Sequence, residues 1–350
     1  MNRNLVISTS LIRGVYGLSI GALFSLFQAE TEPKWIVVYA SIGFLIGFLS
    51  RWVDALLYQT RLRRQRFIRV LLIRSLIYFL VFVLSIGLVL LIFSLFDPAT
   101  SSVEVFRFQT LKEWLSGGTV IYNILYSFLI LLALQFIVLV VRLIGPTVVL
   151  NYLLGKYNEP IEEERIFMFM DLRSSTTIAE RLGHMKWHQF LNDFFYDIAR
   201  SVRRSQGEIY QYVGDEVVIS WPKKTGVKRL NCIRCFFWIY ELMERRRSYY
   251  LQTYGFEPIF KAGYHVGKVV VGEIGDFKRD IVFHGDVVNT ASRIQVECNA
   301  RNRRLLLSST LLDQLSLDKE YTSEYIDKMI LRGKQEEIEL YSLDPVIHRK

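Results

Sequence analysis

Three short segments of this sequence hold residues whose types and spacing suit chemistry. Phe167-Met-Phe-Met-Asp-Leu-Arg-Ser-Ser-Thr176 ends an apolar run on a carboxylate, then opens a helix with hydroxyl residues. Tyr212-Val-Gly-Asp-Glu216 places a second carboxylate in a glycine-containing turn. Gly285-Asp-Val-Val-Asn-Thr-Ala-Ser-Arg293 puts an amide and a guanidinium one helical turn apart, on the same face. Carboxylates at strand ends, here Asp171 and Asp215, suit Mg²⁺, which takes one or two of them together with substrate phosphates. Asn289 and Arg293 suit ribose orientation and phosphate charge. Together the segments point to two-metal chemistry on a nucleoside triphosphate.

The elements that must position these residues follow from local pattern. Arg165–Asp171 reads as a buried strand. Ser174 or Ser175 caps a helix, and a second helix runs from about Lys186 to Ser205 and stops at Gly207. Glu208–Tyr212 and Glu216–Trp221 are β-branched and aromatic, and Val213-Gly-Asp215 joins them as a hairpin tip. A long helix covers about Val227–Tyr249, strands follow at Phe260–Val266 and Val269–Ile274, and another helix opens at about Asp286. Further strands and a helix occupy 304–343. The expected class is α+β, with helices over a mainly antiparallel sheet.

The N-terminal part is different in kind. Four apolar stretches, about 11–28, 35–52, 75–96 and 120–141, are candidates to cross a bilayer core of about 30 Å. Arg13, near the start of the first, is expected to snorkel to the headgroups. Arg61, Arg63, Arg64, Arg66, Arg69 and Arg74 fall between the second and third stretches, and Glu30 and Glu32 between the first and second. The arginine loop, both termini and the soluble part are therefore expected on the cytoplasmic side of a multi-pass integral membrane protein in contact with lipid. Much of the formal net charge of +9 lies in this part. It reads as a topology signal, which argues against a nucleic-acid partner. Gly17-Leu-Ser-Ile-Gly21 and Gly43-Phe-Leu-Ile-Gly47 are GxxxG patterns that let helices approach closely, within a chain or across a dimer. The expected division is a membrane region over 1–142, a juxtamembrane coupling segment over 143–159 with a short helix at Thr147–Tyr157, and a catalytic domain over 160–345.

No histidine precedes His184, which excludes a bis-His haem in the membrane part. Cys232 and Cys235 form a CxxC inside a helical pattern with no second CxxC, so they read as helix packing rather than zinc ligands. His184 and His188 read as surface histidines. His265 and His284 have no recognisable ligand partner.

The segment from about 160 to 345 resembles the catalytic domain of class III nucleotidyl cyclases, the adenylyl and guanylyl cyclase family, with its ferredoxin-like, palm-type fold. The resemblance implies that Asp171, Asp215 and the backbone carbonyl of Leu172 hold two divalent cations, Mg²⁺ or Mn²⁺. It implies that Arg173, Ser174, Ser175 and Thr176 cradle the β- and γ-phosphates at a helix start, as anion-binding physics allows. Asn289 matches the ribose-orienting asparagine and Arg293 the arginine that stabilises α-phosphate charge. Lys334, in Leu331-Arg-Gly-Lys334, matches a lysine that grips the triphosphate. The resemblance also implies a head-to-tail homodimer with composite sites, Asp171 and Asp215 from one chain facing Asn289 and Arg293 from the other.

The base-reading positions depart from the family pattern. Gln211 stands where adenylyl members carry lysine, and Val282 where its Asp or Thr partner is expected. Guanylyl members generally use Glu and Cys, which are also absent. If Phe283 and His284 are an insertion, Asp280 approaches the base site. Lys261 can offer a donor there, although a solvated strand lysine is the plainer expectation. Glutamine can donate and accept, so it suits either purine. ATP is the expected substrate. GTP, and a silent cyclase-like receptor or nucleotide-binding module, stay open as alternatives. Val213-Gly-Asp-Glu216 also resembles the hairpin of diguanylate cyclases, but the Gly285–Arg293 motif has no place in that family.

Overall fold

Apolar runs with no water to satisfy their backbone must close their hydrogen bonds internally, and the first four fold as helices. They are α1 (Arg3–Phe27), α2 (Pro33–Gln59), α3 (Phe67–Phe96) and α4 (Gly118–Ile144). Each contains a stretch long and apolar enough to cross a membrane: Thr9–Leu26, Pro33–Leu57, Phe67–Val89 and Ile124–Ile144. The computed structural model describes residues 3–27, 33–59, 65–96, 118–277, 279–317, 320–330 and 337–346. It divides into two units, Met1–Pro146 and Thr147–Lys350. Glu30, Glu32, Arg61, Arg63 and Arg64 lie outside the described residues.

α1 and α2 cross at their glycines. A Cβ on Gly17 would lie 2.0 Å from the Gly43 carbonyl oxygen, and one on Gly47 2.2 Å from that of Arg13. The two GxxxG patterns therefore meet within the chain.

The third helix corrects the sequence expectation. It starts at Phe67 rather than near Ser75, so Arg69 and Arg74 lie on α3 and not in a loop. A polar hub makes this possible. Asp54 of α2 accepts from Arg74 Nη2 at 2.9 Å, from Arg13 Nη1 at 3.0 Å and from the Tyr78 hydroxyl at 3.1 Å. Arg142 Nη2 lies 3.6 Å away, and Arg74 Nε donates to Gln135 Oε1 at 3.1 Å. All four helices thus converge on one carboxylate. Arg13 pairs with Asp54 instead of simply snorkelling outward. Removing one member of a buried pair leaves the other charge uncompensated, typically at a cost of about 3–5 kcal/mol. Asp54→Ala is accordingly expected to lower the melting temperature of the detergent-solubilised protein by several degrees, whereas an unchanged melt would show the hub to be dispensable.

A short helix, α5 (Pro146–Leu153), begins on the last residue of the first unit and is shorter than the expected juxtamembrane helix. Turns with Gly155 at φ 61° end it, and Tyr157 then buries against Phe167 and Phe169. The rest runs β1 (Ile161–Leu172), α6 (Ser175–Arg204), β2 (Glu208–Val213), β3 (Glu216–Pro222), α7 (Lys223–Val227) and α8 (Asn231–Tyr254). It continues with β4 (Phe260–Ile274), β5 (Asp280–His284), α9 (Asp286–Ala300), β6 (Leu305–Ser308), α10 (Ser309–Leu312), β7 (Tyr321–Ile330) and β8 (Glu337–Pro345). The sheet order is β2-β3-β1-β4-β6-β8-β7, with β5 added to β4. Among the described residues only the β4/β6 pair is parallel.

α6 is kinked at Gly183 (φ 71°, ψ 161°), which divides it much as the two expected helices are divided. The two strands expected over 260–274 are one. Gly267 lies in the ladder opposite Arg165, at a place where a side chain would crowd Val287 of α9.

Strand alternation gives β1 two faces. Ile166, Met168 and Met170 join Phe190, Phe194, Ile198 and Phe236 of α6 and α8 in the main core. Phe167 and Phe169 join Val269, Val271, Val287 and Ala291 beneath α9. Asp171 continues this second face beyond the apolar residues. Cys232 and Cys235 are fully buried in the main core, and burial pushes both thiols up to about 12, as inert packing residues. Arg165, 1% exposed at its side chain, is paired with Glu163 and Glu208, bonded to Ser220 Oγ and held 4.8 Å from the Phe283 ring centroid.

Candidate active site

The β1/β3 ladder ends with Met170 opposite Val217. Beyond it, Asp171 meets the β2–β3 turn, where Gly214 adopts φ 63° and Asp215 follows. Asp171 Oδ2 accepts from Gln295 Nε2 at 3.1 Å and lies 3.3 Å from Lys261 Nζ. Asp215 Oδ2 is buried with no hydrogen-bond partner. Burial, and then the neighbouring Asp215 carboxylate, push Asp171 up to about 6 against the pull of Lys261. Burial, and then Asp171 and Asp215, push Glu216 up to about 7.

This arrangement fits a hard divalent cation. Two desolvated carboxylates crowd one another, and a buried oxygen of one is orphaned; an added positive charge relieves both defects. Among the described residues no cluster of three or more His, Cys, Asp or Glu could hold a metal. A cation held there would complete its shell with backbone oxygen, water or phosphate oxygens, as Mg²⁺ usually does. Leu172 buries its side chain in the core, so only its backbone is available to the site.

The raised Glu216 value has a stability consequence. Its ordinary value is 4.5 and its folded value about 7. The unfolded chain thus ionises first as pH rises, and the cost to the fold grows from about pH 4.5 and is complete above about pH 7. Glu216→Gln is expected to raise the melting temperature of the metal-free protein at pH 8 and leave it unchanged at pH 4. Equal shifts at both pH values would refute this electrostatic origin.

Lys261 corrects an expectation. It is only 6% exposed, and the β1/β4 register sets it opposite Asp171. Its ammonium lies against the Asp171 carboxylate, so it is not a solvated strand residue. Arg173 is anchored, its backbone N–H donating to Ile259 O at 2.7 Å and its Nη2 to Arg303 O at 2.9 Å. Ser174 occupies the N-cap position of α6 with φ 56° but makes no side-chain cap bond, contrary to the capping role expected for it. The first-turn amides at Ser175 and Thr176 have no partner within the helix and point toward an anion site by helical geometry.

α9 presents two faces. Val287, Thr290, Ala291, Ile294, Gln295 and Cys298 are buried against the sheet. Asn289 is exposed and Arg293 half-buried. Gln295 reaches Asp171, and Arg293, two residues earlier, lies about 200° around the helix from it. One chain therefore joins Asp171 and Asp215, and turns Asn289 and Arg293 the other way.

The expected base readers sit on β2 and β5. Gln211 is exposed, with Val218 as its ladder partner, and Val282 pairs with Gly272. The strands are not ladder neighbours, yet Tyr210 and Phe283 beside these residues pack with ring centroids 4.8 Å apart. Asp280 is exposed at the start of β5. Lys334 lies outside the described residues. His184, His188 and His284 are exposed, and His265 Nδ1 is 2.7 Å from Ser308 Oγ. Sequence reasoning missed Gln295 and Glu216, for which only proximity to the recognised motifs was a signal.

Comparison with known proteins bears on the family and the fold. The family model of the adenylate and guanylate cyclase catalytic domain matches residues 158–345. An adenylate cyclase 2 from Rhizobium meliloti is 37% identical over 208 residues, which are 59% of this chain and 57% of that protein. A receptor-type guanylate cyclase from Caenorhabditis elegans is 28% identical over 202 residues, 56% of this chain and 19% of its own length. The chain thus spans little more than half, or much less, of these relatives. A solved bacterial light-regulated adenylyl cyclase is similar in fold, with TM-score 0.51 and 22% identity over 61% of this chain and 62% of that one.

Proposed function

The chain belongs to the adenylate and guanylate cyclase catalytic-domain family, and on that premise we propose that it is a membrane-bound adenylate cyclase, converting ATP to 3′,5′-cyclic AMP and pyrophosphate at a homodimer interface. The observation that carries this reading is the crowded pair Asp171 and Asp215 with its orphaned buried oxygen. The choice of ATP rests on the relative at 37% identity, described as an adenylate cyclase; Gln211, which can both donate and accept, suits either purine.

In this reading Asp171, Asp215 and the Leu172 carbonyl hold two divalent cations. When bound, these supply Lewis acidity and offset triphosphate charge. In the loop Arg173–Thr176 the backbone amides of Ser174, Ser175 and Thr176 bind the β- and γ-phosphates, the Arg173 amide being held by Ile259 O, and Lys334 grips the triphosphate. Asn289 of the second protomer orients the ribose so that its 3′-hydroxyl lies in line with the α-phosphate. Arg293 of that protomer opposes the charge that develops there. Gln211 and Val282 face the base. The membrane region over 1–142 anchors the protomers, the segment 143–159 couples it to the catalytic domain over 160–345, and both termini are cytoplasmic.

The test is product formation by purified full-length protein with ATP and GTP in parallel, each with Mg²⁺ and with Mn²⁺. Cyclic AMP is the expected product. Cyclic GMP alone would overturn the substrate, and silence with both nucleotides in a folded dimer would favour a cyclase-like receptor module.

A further inference from the structure

Gln295 takes no part in the chemistry described above, yet its side chain reaches from α9 to Asp171. Its Nε2 donates to Asp171 Oδ2 at 3.1 Å, and the residue is 3% exposed. An ionised carboxylate has no proton to give, so the nitrogen end of the amide must meet it. A buried amide is unfavourable unless bonded, and a leucine would fill the same volume with no such demand. Lys261 Nζ approaches the same oxygen at 3.3 Å. Oδ2 is thus held by an amide and an ammonium, and neither contact uses Oδ1. The grip is stiff because Gly263 of β4 lets the helix backbone come down onto the sheet beside it: a Cβ there would lie 2.2 Å from the Gln295 nitrogen.

We propose that Gln295 is a positioning residue that fixes the Asp171 carboxylate for cation binding. The proposal rests on the reading of Asp171 as a metal ligand. Groups that orient a ligand from behind commonly change metal affinity about 10- to 100-fold when removed. Because α9 also carries Asn289 and Arg293 on its other side, one rigid helix touches the carboxylate site of its own chain and faces outward with the remaining machinery.

The experiment is Mn²⁺ binding to full-length, detergent-solubilised protein, read by electron paramagnetic resonance with 3′-deoxy-ATP and, separately, 3′-deoxy-GTP, neither of which can cyclise. Gln295→Leu is expected to weaken Mn²⁺ binding about tenfold, Asp171→Ala to weaken it further, and Cys298→Ala, one turn along the same buried face, to leave it unchanged. Gln295→Met, unbranched and also unable to donate, must repeat the leucine result, which guards against a variant that merely fails to fold. In turnover, saturating Mn²⁺ should restore kcat in Gln295→Leu, a split that a loosened helix would not give. Wild-type Mn²⁺ affinity in Gln295→Leu, beside a loss in Asp171→Ala, overturns the role of Gln295 and spares the metal site. Unchanged affinity in Asp171→Ala, or no Mn²⁺ binding by the wild type, overturns the metal reading and this inference with it.

Discussion

Alanine at Asp171 or at Asp215 will lower cyclic nucleotide formation by about a thousandfold or more, the scale seen when a principal charge-stabilising element is removed from phosphoryl or acyl transfer. The fold should survive, because the pair is under electrostatic load. Burial and the neighbouring Asp215 push Asp171 from 3.8 up to about 6, so the cost to the fold grows from about pH 3.8 and is complete above about pH 6. Alanine at Asp215, whose buried Oδ2 has no partner, removes the load without orphaning Lys261 or Gln295, and that metal-free variant should melt at or above the wild-type temperature at pH 8. A composite site makes a second demand. Asp171→Ala protein and Arg293→Ala protein are each inactive alone, but a random mixture of the two chains contains dimers with one intact site. The expected recovery is about a quarter of wild-type activity for equal expression and free pairing. The check is co-expression with two affinity tags and sequential purification of the mixed dimer. A pure mixed dimer with no activity would exclude sites shared between chains, because each chain would then need all its own residues.

The orientation of α9 explains why sharing is expected. Its buried stripe is fixed by Val287, Ala291 and Ile294, residues that a helical pattern reveals in the sequence. The exposed side of Asn289 and Arg293 follows from the same periodicity. What the pattern withholds is the depth and register at which the helix sits. Gln295 and Asp171 are separated by 124 positions, and nothing local to either links them. Lys261 looked solvated because it follows an aromatic residue in an ordinary strand pattern, and only the β1/β4 register shows it facing Asp171. The carboxylates were legible because each ends a strand at a turn. The hub at Asp54 was not, since its partners come from three other helices, and Arg74 reads as loop charge until its acceptors are known. Local chemistry was readable along the chain, whereas pairing across elements needed coordinates.

Gly263→Ala should have the largest effect of any single methyl group in the catalytic unit. The added Cβ would stand 2.2 Å from the Gln295 nitrogen, 2.6 Å from its Cα and 2.7 Å from the Ala291 carbonyl oxygen. All three are backbone atoms, so no rotamer change relieves the clash and α9 must lift from the sheet. Overpacking of this kind commonly costs about 1–3 kcal/mol, occasionally more. Lifting the helix also strains the Gln295–Asp171 bond and moves Asn289 and Arg293, and a displacement of about 1 Å in positioning groups can lower turnover about a hundredfold. Gly272→Ala is the matched control, because its Cβ would meet Pro160 at 3.4 Å, an ordinary contact. Thermal melts and turnover with saturating metal are the measurements. If Gly263→Ala matched the control in both, α9 could not be seated so closely on β4, and one helix would not position groups on its two sides. If the melt fell while turnover held, α9 would stabilise the sheet without positioning the reacting groups. Loss of both together is the outcome that ties the packing of one glycine to the chemistry of the site.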